Sequence, residues 1–367
     1  MKKTTLKPEI LSSEFQTKNI LVAPLNWGLG HATRCIPIIN ALILNKYTPI
    51  IASDGDALHL LQKEFPELKY YKLPSYKITY SKNGKKLKYR MLLDIPNILR
   101  ASTNEKKVVD KIIDEEDVSG IISDNRFGVR SSKVPSIYIT HQLKVLSGST
   151  SFLTSLFHQK IIKKFDCCWI PDYNNSQSLA GELSDLESSK MDIKYLGPLS
   201  RFSYKKVPKK QDLLVVLSGP EPQRTLLEKK ISAELKNYNK KVLFIRGIVS
   251  DKQEVNQLKN TRTVNYMLMK ELQTAINESE LVLARSGFST IMDLEKLRAK
   301  AFFIPTPGQY EQEYLAKSLK QKRIAPYANQ DDFKIEMLHG TENYNGFAKN
   351  GAIYKVDFKA LFEMYFS

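Results

Sequence analysis

Cysteine is scarce in this chain of 367 residues, which contains only Cys35, Cys167 and Cys168. Two of the three are adjacent, so they lack the spacing of a zinc-binding pair, and an odd total argues against a framework of disulfide bonds. We therefore expect a protein of a reducing compartment without a structural zinc site.

Long apolar runs are missing as well. No window reaches the roughly 18 apolar residues that a transmembrane helix needs. Residues 1–17 are polar and charged and lack the apolar core of a signal peptide. The sequence thus predicts a cytoplasmic protein, with the inner face of the plasma membrane as its site of any surface attachment.

Acidic residues are outnumbered, because 39 Asp and Glu stand against 56 Lys and Arg and leave a formal net charge of +17. Nucleic acid, acidic lipid headgroups and phosphorylated small molecules are the anionic partners that such a charge attracts. The sequence contains no zinc finger, RNA-recognition signature or basic zipper, so we expect no nucleic-acid partner. Most of the lysines are interpreted as solvated surface.

Short apolar runs alternate with amphipathic stretches in both halves of the chain. The strand candidates are residues 19–24, 48–53, 120–124, 136–140, 167–171, 213–219, 241–247, 281–285 and 301–306. Nearly continuous apolar runs are typical of parallel strands that are buried on both faces. Helical patterns lie between them, for example at 223–238 and 289–297. The βαβα order occurs twice and predicts an α/β protein with two Rossmann-like, doubly wound parallel sheets.

A linker separates the two halves. Residues 196–212 carry two prolines and a lysine run but no apolar period. The predicted division is an N-terminal extension, a first domain, the linker, a second domain and a closing helix, at 1–17, 18–197, 198–212, 213–345 and 346–367. Two such domains leave a cleft between the carboxyl ends of their sheets, where α/β folds bind ligands.

The turn "LNWGLGHATRC" follows the first predicted strand. Gly28 and Gly30 fill two positions of the dinucleotide fingerprint G-x-G-x-x-G, but Thr33 occupies the third. Asp54 ends the second strand, where an acidic ribose ligand would sit, so dinucleotide binding stays open. His31 follows at the start of a helix and is a candidate general base near neutral pH. A packing or capping histidine is the alternative.

The segment 281–316 holds the strongest candidate binding site. A strand ends at Arg285, Ser286 and Gly287 form a turn, and the N–H groups of the next helix offer an anion site. Asp293, about two turns into that helix, can accept hydrogen bonds from ribose hydroxyls. Further candidates at strand ends and turns are Ser218, Gly219, Arg224, Arg246, Gln309, Gln312 and Glu313. Their joint occurrence indicates a ligand that is a nucleoside diphosphate carrying a sugar.

Four motifs carry a family resemblance: "GLGHATR", "LSGPEPQR", "ARSGFSTIMDLEKL" and "PTPGQYEQEYLA". In this order they resemble GT-B fold glycosyltransferases with a family 28-type C-terminal domain, a group that includes the lipid II-forming N-acetylglucosaminyltransferase. The resemblance covers nearly all of the chain after about residue 18. It implies a UDP-sugar donor, such as UDP-N-acetylglucosamine, held by the C-terminal domain. Arg285, Ser286 and Gly287 would then lie near the diphosphate, and Asp293 would bind the ribose.

The chain also departs from that pattern. Gln312 and Glu313 match a pair of donor-sugar contacts, but Glu313 replaces a glutamine, which leaves the sugar open. Asp293 replaces a glutamate, and the family enzyme carries an extra glycine before its histidine.

The resemblance implies inverting transfer of a hexose or N-acetylhexosamine to a cell-envelope glycan or lipid-linked acceptor, in polysaccharide biosynthesis. His31 would deprotonate the acceptor hydroxyl, and no cofactor or obligatory metal is expected. The acceptor-side candidates are Gly28, Gly30, Asp124, Asn125, Arg126 and His141. The "DGD" at 54–56 resembles a metal-binding D-x-D, but its position favours an ordinary turn.

Three alternatives stay open. The basic, tyrosine-rich segment 69–90 contacts an anionic membrane, holds a phosphorylated lipid carrier, or is a solvated hairpin. Arg34 and Cys35 complete a "G-x-G-H-x-x-R-C"-like motif that nucleotide-sugar hydrolases of the pseudaminic-acid pathway share, and His31 would then activate water. A sugar-nucleotide sensor without catalysis is the third alternative.

Overall fold

The computed structural model describes residues 17–76, 87–146, 148–185, 191–248, 250–347 and 356–367. Two sheets, each with helices around it, form the body of the molecule. The first sheet is parallel throughout and has the order β3-β2-β1-β4-β5-β6-β7. Its strands are β1 (Asn19–Pro24), β2 (Thr48–Ser53), β3 (Tyr70–Lys72), β4 (Val118–Asp124), β5 (Ser136–Ile139), β6 (Cys167–Ile170) and β7 (Ile193–Tyr195).

The second sheet has the order β10-β11-β9-β8-β12-β13 and is parallel except for the β10–β11 pair. Its strands are β8 (Gln211–Val216), β9 (Val242–Ile245), β10 (Val255–Leu258), β11 (Thr261–Val264), β12 (Ser279–Ala284) and β13 (Ala301–Phe303). We call the parts of the chain that carry the first and second sheets the N-terminal and C-terminal domains.

Helices connect the strands. In the N-terminal domain they are α1 (Gly30–Leu44), α2 (Gly55–Glu64), α3 (Leu87–Glu116) and α4 (Ser151–Ile162). In the second half they are α5 (Gln223–Glu234), α6 (Met269–Asn277), α7 (Phe288–Lys296), α8 (Tyr310–Gln321) and α9 (Phe358–Phe366). Short 3₁₀ helices lie at Gly148–Thr150, Gly181–Leu183, Leu235–Asn237 and Ile335–Asn343. No helix within the described ranges is both long and apolar enough to cross a membrane.

The predicted α/β class with two Rossmann-like sheets is confirmed. Each predicted strand exists because its residues are buried on both faces; in β1, Leu21 packs into one cluster with α3, and Val22 into another with α1. The sequence missed β3, β7, β10 and β11, which are three or four residues long. All four residues of β10 are exposed, so no apolar run marks that strand.

Several helices and strands lie near the predicted domain boundaries. Strand β8 begins at Gln211, two residues before the predicted start of the second domain, and α9 covers only the end of 346–367. In the basic segment 69–90, β3 joins the sheet and the last four residues begin α3. Residues 77–86, with four of its lysines and the "NG" turn, lie outside the described residues.

The C-terminal helix packs on the N-terminal domain. Phe366 is 2 % exposed and lies against Gly120 of β4, where any side chain would overlap its ring. Lys18 Nζ donates to the carbonyl of Phe366 at 2.9 Å, and Tyr365 donates to Asp192 at 2.6 Å. Tyr47 meets the ring of Phe362 edge-on at 5.6 Å. Helix α9 therefore ties the end of the chain to the first sheet.

Candidate active site

Two helix N-termini meet between the domains. Helix α1 follows β1 and α7 follows β12, and Ser289 Oγ donates to the carbonyl of Gly30 at 3.0 Å. A Cβ on Gly30 would lie 2.7 Å from Ser289 Oγ, so any larger residue would push this serine away. Unpaired N–H groups and the helix dipole favour anions at helix N-termini. The predicted turns at Gly28 and Gly287 thus lie close together, with the chemistry for a diphosphate.

His31 contacts a buried carboxylate next to this meeting point. Its Nδ1 lies 2.8 Å from Oδ1 of Asp124, the last residue of β4. Strand β4 pairs with β1, which brings Asp124 beside the turn that carries His31. Arg34, three residues along α1, hydrogen-bonds both Asp124 oxygens through Nε and Nη2, and Cys35 Sγ lies 3.6 Å from Oδ2. Asp124 is fully buried and Arg34 is 2 % exposed.

Charge interactions decide the protonation of this pair. Burial would raise the pKa of Asp124, but Arg34 and then His31 outweigh it and hold that pKa at about 2. Burial, with the Arg34 charge, lowers the pKa of His31 despite the opposing Asp124 carboxylate. At neutral pH the aspartate is therefore ionised and the imidazole neutral.

The proton on His31 has two possible positions. Arg34 Nη2 also lies 2.7 Å from His31 Nδ1, and an arginine N–H can only donate. Nδ1 therefore either accepts from Arg34 or donates to Asp124. In the second tautomer Nε2 carries the free lone pair that a general base needs. Nε2 makes no hydrogen bond to the described part of the chain.

His141 extends the cluster across the cleft. Arg34 Nη1 donates to His141 Nδ1 at 3.2 Å, so the ring proton of neutral His141 is on Nε2 and points at Glu311 Oε1, 2.7 Å away. Glu311 lies in the first turn of α8, in the C-terminal domain. The His141 ring stacks on Phe288 of α7 at 4.2 Å between centroids. Both domains thus contribute to one polar cluster.

Arg285 lies beneath the Ser286–Gly287 turn, the candidate anion site, rather than on its surface. It is 1 % exposed and donates to the carbonyls of Ile304, Pro305 and Gln223 and to the side chain of Gln330, at 2.6 to 3.1 Å. Burial lowers its pKa to about 10, so it keeps its charge at neutral pH. These bonds link α5 to the turn after β13 and leave a positive charge without a carboxylate partner in the described residues.

Asp293 contacts the linker. Ser200 Oγ donates to its Oδ1 at 2.5 Å, and burial raises the pKa of Asp293 to about 6 against the opposing effects of Ser200 and Arg201. Asp293, the candidate ribose-binding residue, is therefore about half protonated near pH 6. The linker takes part in the site by holding this carboxyl group.

The turn before α8 is shaped by its own candidate residues. Gln312 Oε1 accepts from the Thr306 N–H at 2.9 Å, and its carbonyl accepts from Ser286 Oγ at 2.8 Å. Glu313 Oε1 accepts from the Gly308 N–H at 2.9 Å, and Gln309 is the N-cap of α8. Gln312 and Glu313 thus fix the loop that faces the Ser286–Gly287 turn.

The other basic candidates of the C-terminal domain are paired. Arg224 Nη1 and Arg246 Nε both contact Glu228, each at 2.6 Å, and Arg224 also contacts Glu221. Ser218 and Gly219 are exposed at the end of β8, where Gly219 has a φ of +104° that favours glycine. The paired arginines offer less free charge to an anion than their sequence positions suggest.

Two acceptor-side candidates are not brought to the His31 cluster. Arg126 is fully buried and donates to Glu105, Asp54 and the Pro74 carbonyl at 2.5 to 2.7 Å, which joins α3 to the end of β2. Asn125 has a φ of +58° and accepts from the Tyr138 hydroxyl at 3.0 Å. Asp54, considered for ribose or metal binding, accepts a hydrogen bond from Arg126 instead. In the described ranges no group of three or more His, Cys, Asp and Glu residues could hold a metal ion.

Sequence reasoning missed Arg34 as a partner of Asp124, and it missed Glu311 and Phe288 altogether. Arg34 lies three residues from His31 and so shares its helix face, which is a usable signal. Glu311 and Phe288 come from the other domain, and no local pattern marks a contact between residues 170 positions apart.

Comparison with known proteins agrees with this architecture. Residues 213–342 match the model of the glycosyltransferase family 28 C-terminal domain. An uncharacterized glycosyltransferase of Methanosarcina acetivorans is 23% identical over 341 residues, covering 85% of this chain and 86% of the relative. The UDP-N-acetylglucosamine--N-acetylmuramyl-(pentapeptide) pyrophosphoryl-undecaprenol N-acetylglucosamine transferase of Buchnera aphidicola subsp. Schizaphis graminum is 24% identical over 216 residues, or 57% of this chain and 56% of that protein.

Among solved structures, the glycotransferase of kitacinnamycin superposes with a TM-score of 0.64 at 12% identity, over 96% of this chain and 100% of the other. The chain therefore has the GT-B fold, and its residues 213–342 match the family 28-type C-terminal domain.

Proposed function

We propose that the protein is an inverting glycosyltransferase that moves a hexose or N-acetylhexosamine from a UDP-sugar to a cell-envelope glycan or a lipid-linked acceptor. One observation carries this proposal: a neutral histidine backed by a buried aspartate lies where two helix N-termini meet. The family 28-type domain supports a nucleotide-sugar donor. The name of the Buchnera relative supports UDP-N-acetylglucosamine and a lipid-linked acceptor.

The geometry supports a single displacement. His31 Nε2 takes the proton of the acceptor hydroxyl while its oxygen attacks the anomeric carbon, and the bond from that carbon to the diphosphate oxygen breaks. Asp124 accepts from Nδ1–H and stabilises the imidazolium that forms. The N–H groups at the start of α7, with the buried charge of Arg285, stabilise the departing diphosphate. Asp293 would bind the ribose, and Gln312 and Glu313 the sugar.

The surface of α4 supports a lipid-linked acceptor. Phe152, Leu153 and Leu156 are 73%, 63% and 42% exposed, and Lys160 on the same helix is exposed. Apolar side chains beside lysines suit a bilayer surface with anionic headgroups. This helix belongs to the N-terminal domain, the proposed acceptor side. We therefore propose peripheral contact with the inner face of the plasma membrane.

Incubation with radiolabelled UDP-sugars tests the proposal. Labelled product that forms only with membrane lipid extract or a glycan acceptor supports transfer. Free sugar without acceptor supports the hydrolase, and binding without turnover supports the sensor; either result contradicts our proposal. The glycosyltransferase names of the relatives favour transfer.

The role of His31 has a matched control. We expect His31→Asn to lower kcat by about 100-fold or more, because general bases contribute roughly 10²–10⁴-fold. His59→Asn replaces an exposed histidine of α2 and should keep full activity. If both variants turn over equally well, His31 is not the base.

A further inference from the structure

Glu311 is the one carboxylate that the C-terminal domain places in the described cluster around His31 and Asp124. Its Oε1 accepts from His141 Nε2 at 2.7 Å, and His141 Nδ1 in turn accepts from Arg34 at 3.2 Å. Arg34 then binds both oxygens of Asp124. An unbroken chain of hydrogen bonds therefore runs from α8 of one domain to the candidate base of the other.

Each bond in the chain fixes the direction of the next. The Glu311 carboxylate can only accept, so His141 must hold its proton on Nε2. Its Nδ1 is then an acceptor, and it takes one Nη1 proton of Arg34. Stacking on Phe288, with only 5° between the planes, favours this orientation of the ring. Arg34 is thereby held with Nε and Nη2 on Asp124.

The charges of the cluster also depend on Glu311. The charged or titratable groups that face it are His141 after β5 and His31 and Arg34 on α1, while Phe288 of α7 contributes an uncharged ring. Arg34 and Asp124 carry opposite charges, and Glu311 adds one negative charge to the cluster. A nearby negative charge favours a histidine that becomes positive as it takes a proton.

We propose that Glu311 is a positioning residue for the transfer reaction: through His141 and Arg34 it holds the His31–Asp124 base of the opposite domain. The inference rests on the proposed function, since it assumes that His31 is the base. The His31–Asp124 base has the support of Glu311 only in the domain arrangement of this structure. Other bonds hold this arrangement too, such as Tyr173 to Glu295 at 2.6 Å and the Glu182 N–H to Tyr314 at 2.9 Å.

Two variants separate the hydrogen bond from the charge. Glu311→Ala removes both, whereas Glu311→Gln keeps an acceptor oxygen and removes only the charge. We expect kcat to fall about tenfold or more in Glu311→Ala and less in Glu311→Gln, with the donor KM within about twofold, as part of the 10²–10⁴-fold effect of a general base. Both variants should move the acidic limb of the kcat/KM profile to lower pH, because His31 loses a negative neighbour.

Tyr314→Phe is the control for domain contact. It removes a bond between the domains without touching the cluster, so it should leave the acidic limb in place. A Tyr314→Phe profile that shifts as far as that of Glu311→Ala, or a Glu311→Ala profile identical to wild type, overturns the inference. If His31→Asn is inactive while Glu311→Ala behaves as wild type, the proposed function stands and the role of Glu311 fails.

Nitrogen NMR of the histidine side chains tests the same point without turnover. In the full-length wild type we expect neutral His141 as the Nε2–H tautomer, assigned with a His141→Gln variant. In Glu311→Ala we expect the resonances of both His141 and His31 to shift. A wild-type His141 with its proton on Nδ1, or identical spectra for the two proteins, contradicts the inference. This measurement tests the hydrogen-bond chain from Glu311 to His31 even if no UDP-sugar is consumed and the proposed function fails.

Discussion

Asp124→Asn is the substitution whose effect on stability follows most directly from the structure. The ordinary pKa of 3.8 falls to about 2 in the folded protein, because Arg34 and His31 outweigh the cost of burial. At about 1.36 kcal/mol for each pH unit, the ionised carboxylate contributes about 2 kcal/mol to folding at neutral pH. Asparagine resembles the protonated form, so the variant should lose about this much free energy of unfolding.

The stability difference between wild type and Asp124→Asn should change with pH in a defined direction. A carboxyl group with a lowered folded-state pKa stabilises the protein above its unfolded pKa, and this contribution is lost as pH falls through the folded pKa. The difference between wild type and Asp124→Asn should therefore be constant from pH 7 to about 4 and shrink towards pH 2. Urea unfolding at a series of pH values measures it, with Asp251→Asn, at an exposed position, as the control.

The same variant should also be nearly inactive. An asparagine directs its oxygen to Arg34, and His31 Nδ1 then accepts instead of donating, which puts the proton on Nε2. A histidine locked in the wrong tautomer costs about 10⁴-fold in kcat in the serine protease triad. A stability difference below about 0.5 kcal/mol at pH 7, or one that grows in acid, would refute the electrostatic reasoning. Full activity would refute the tautomer argument.

Two further predictions concern the contacts that hold the site and the chain end. Gly30→Ala places a methyl group 2.7 Å from Ser289 Oγ and should weaken UDP binding. The double variant Gly30→Ala/Ser289→Ala should recover most of the lost affinity. Gly340→Ala, where the new methyl group meets open space, is the control. Equal Kd values for the single and double variants by calorimetry would contradict this. Phe366→Ala should lower the free energy of unfolding by about 3–5 kcal/mol, whereas Met364→Ala, 63% exposed on the same helix, should change it little. Similar urea midpoints for the two would show that α9 does not anchor the chain end.

Local sequence patterns predict much of the fold but only part of the site. Strands such as β1 and β12 are apolar throughout because both faces are buried, and that pattern can be read from the sequence. Strand β10 is fully exposed and leaves no such pattern. His31 was predicted at the start of a helix and Asp124 at the end of a strand, but their contact depends on β1 lying beside β4, which is a property of the strand order.

Arg126 and Glu311 show why the sequence alone does not identify all of the site residues. Both are charged residues near strand or helix ends, and only Arg126 was expected to be functional. The fold turns Arg126 inward, where Glu105 and Asp54 compensate its charge, while Glu311 reaches His141 across the cleft. The direction of a side chain at a turn and its partners in another domain are decided by tertiary packing.

A crystal structure with UDP bound tests the central claim most directly. We predict that the diphosphate lies at the N-terminus of α7 beside Ser286 and Gly287, with the ribose at Asp293 and the terminal phosphate facing His31. UDP bound outside the space between the two domains, or with its diphosphate away from α7, would contradict the proposed donor site and the role given to His31.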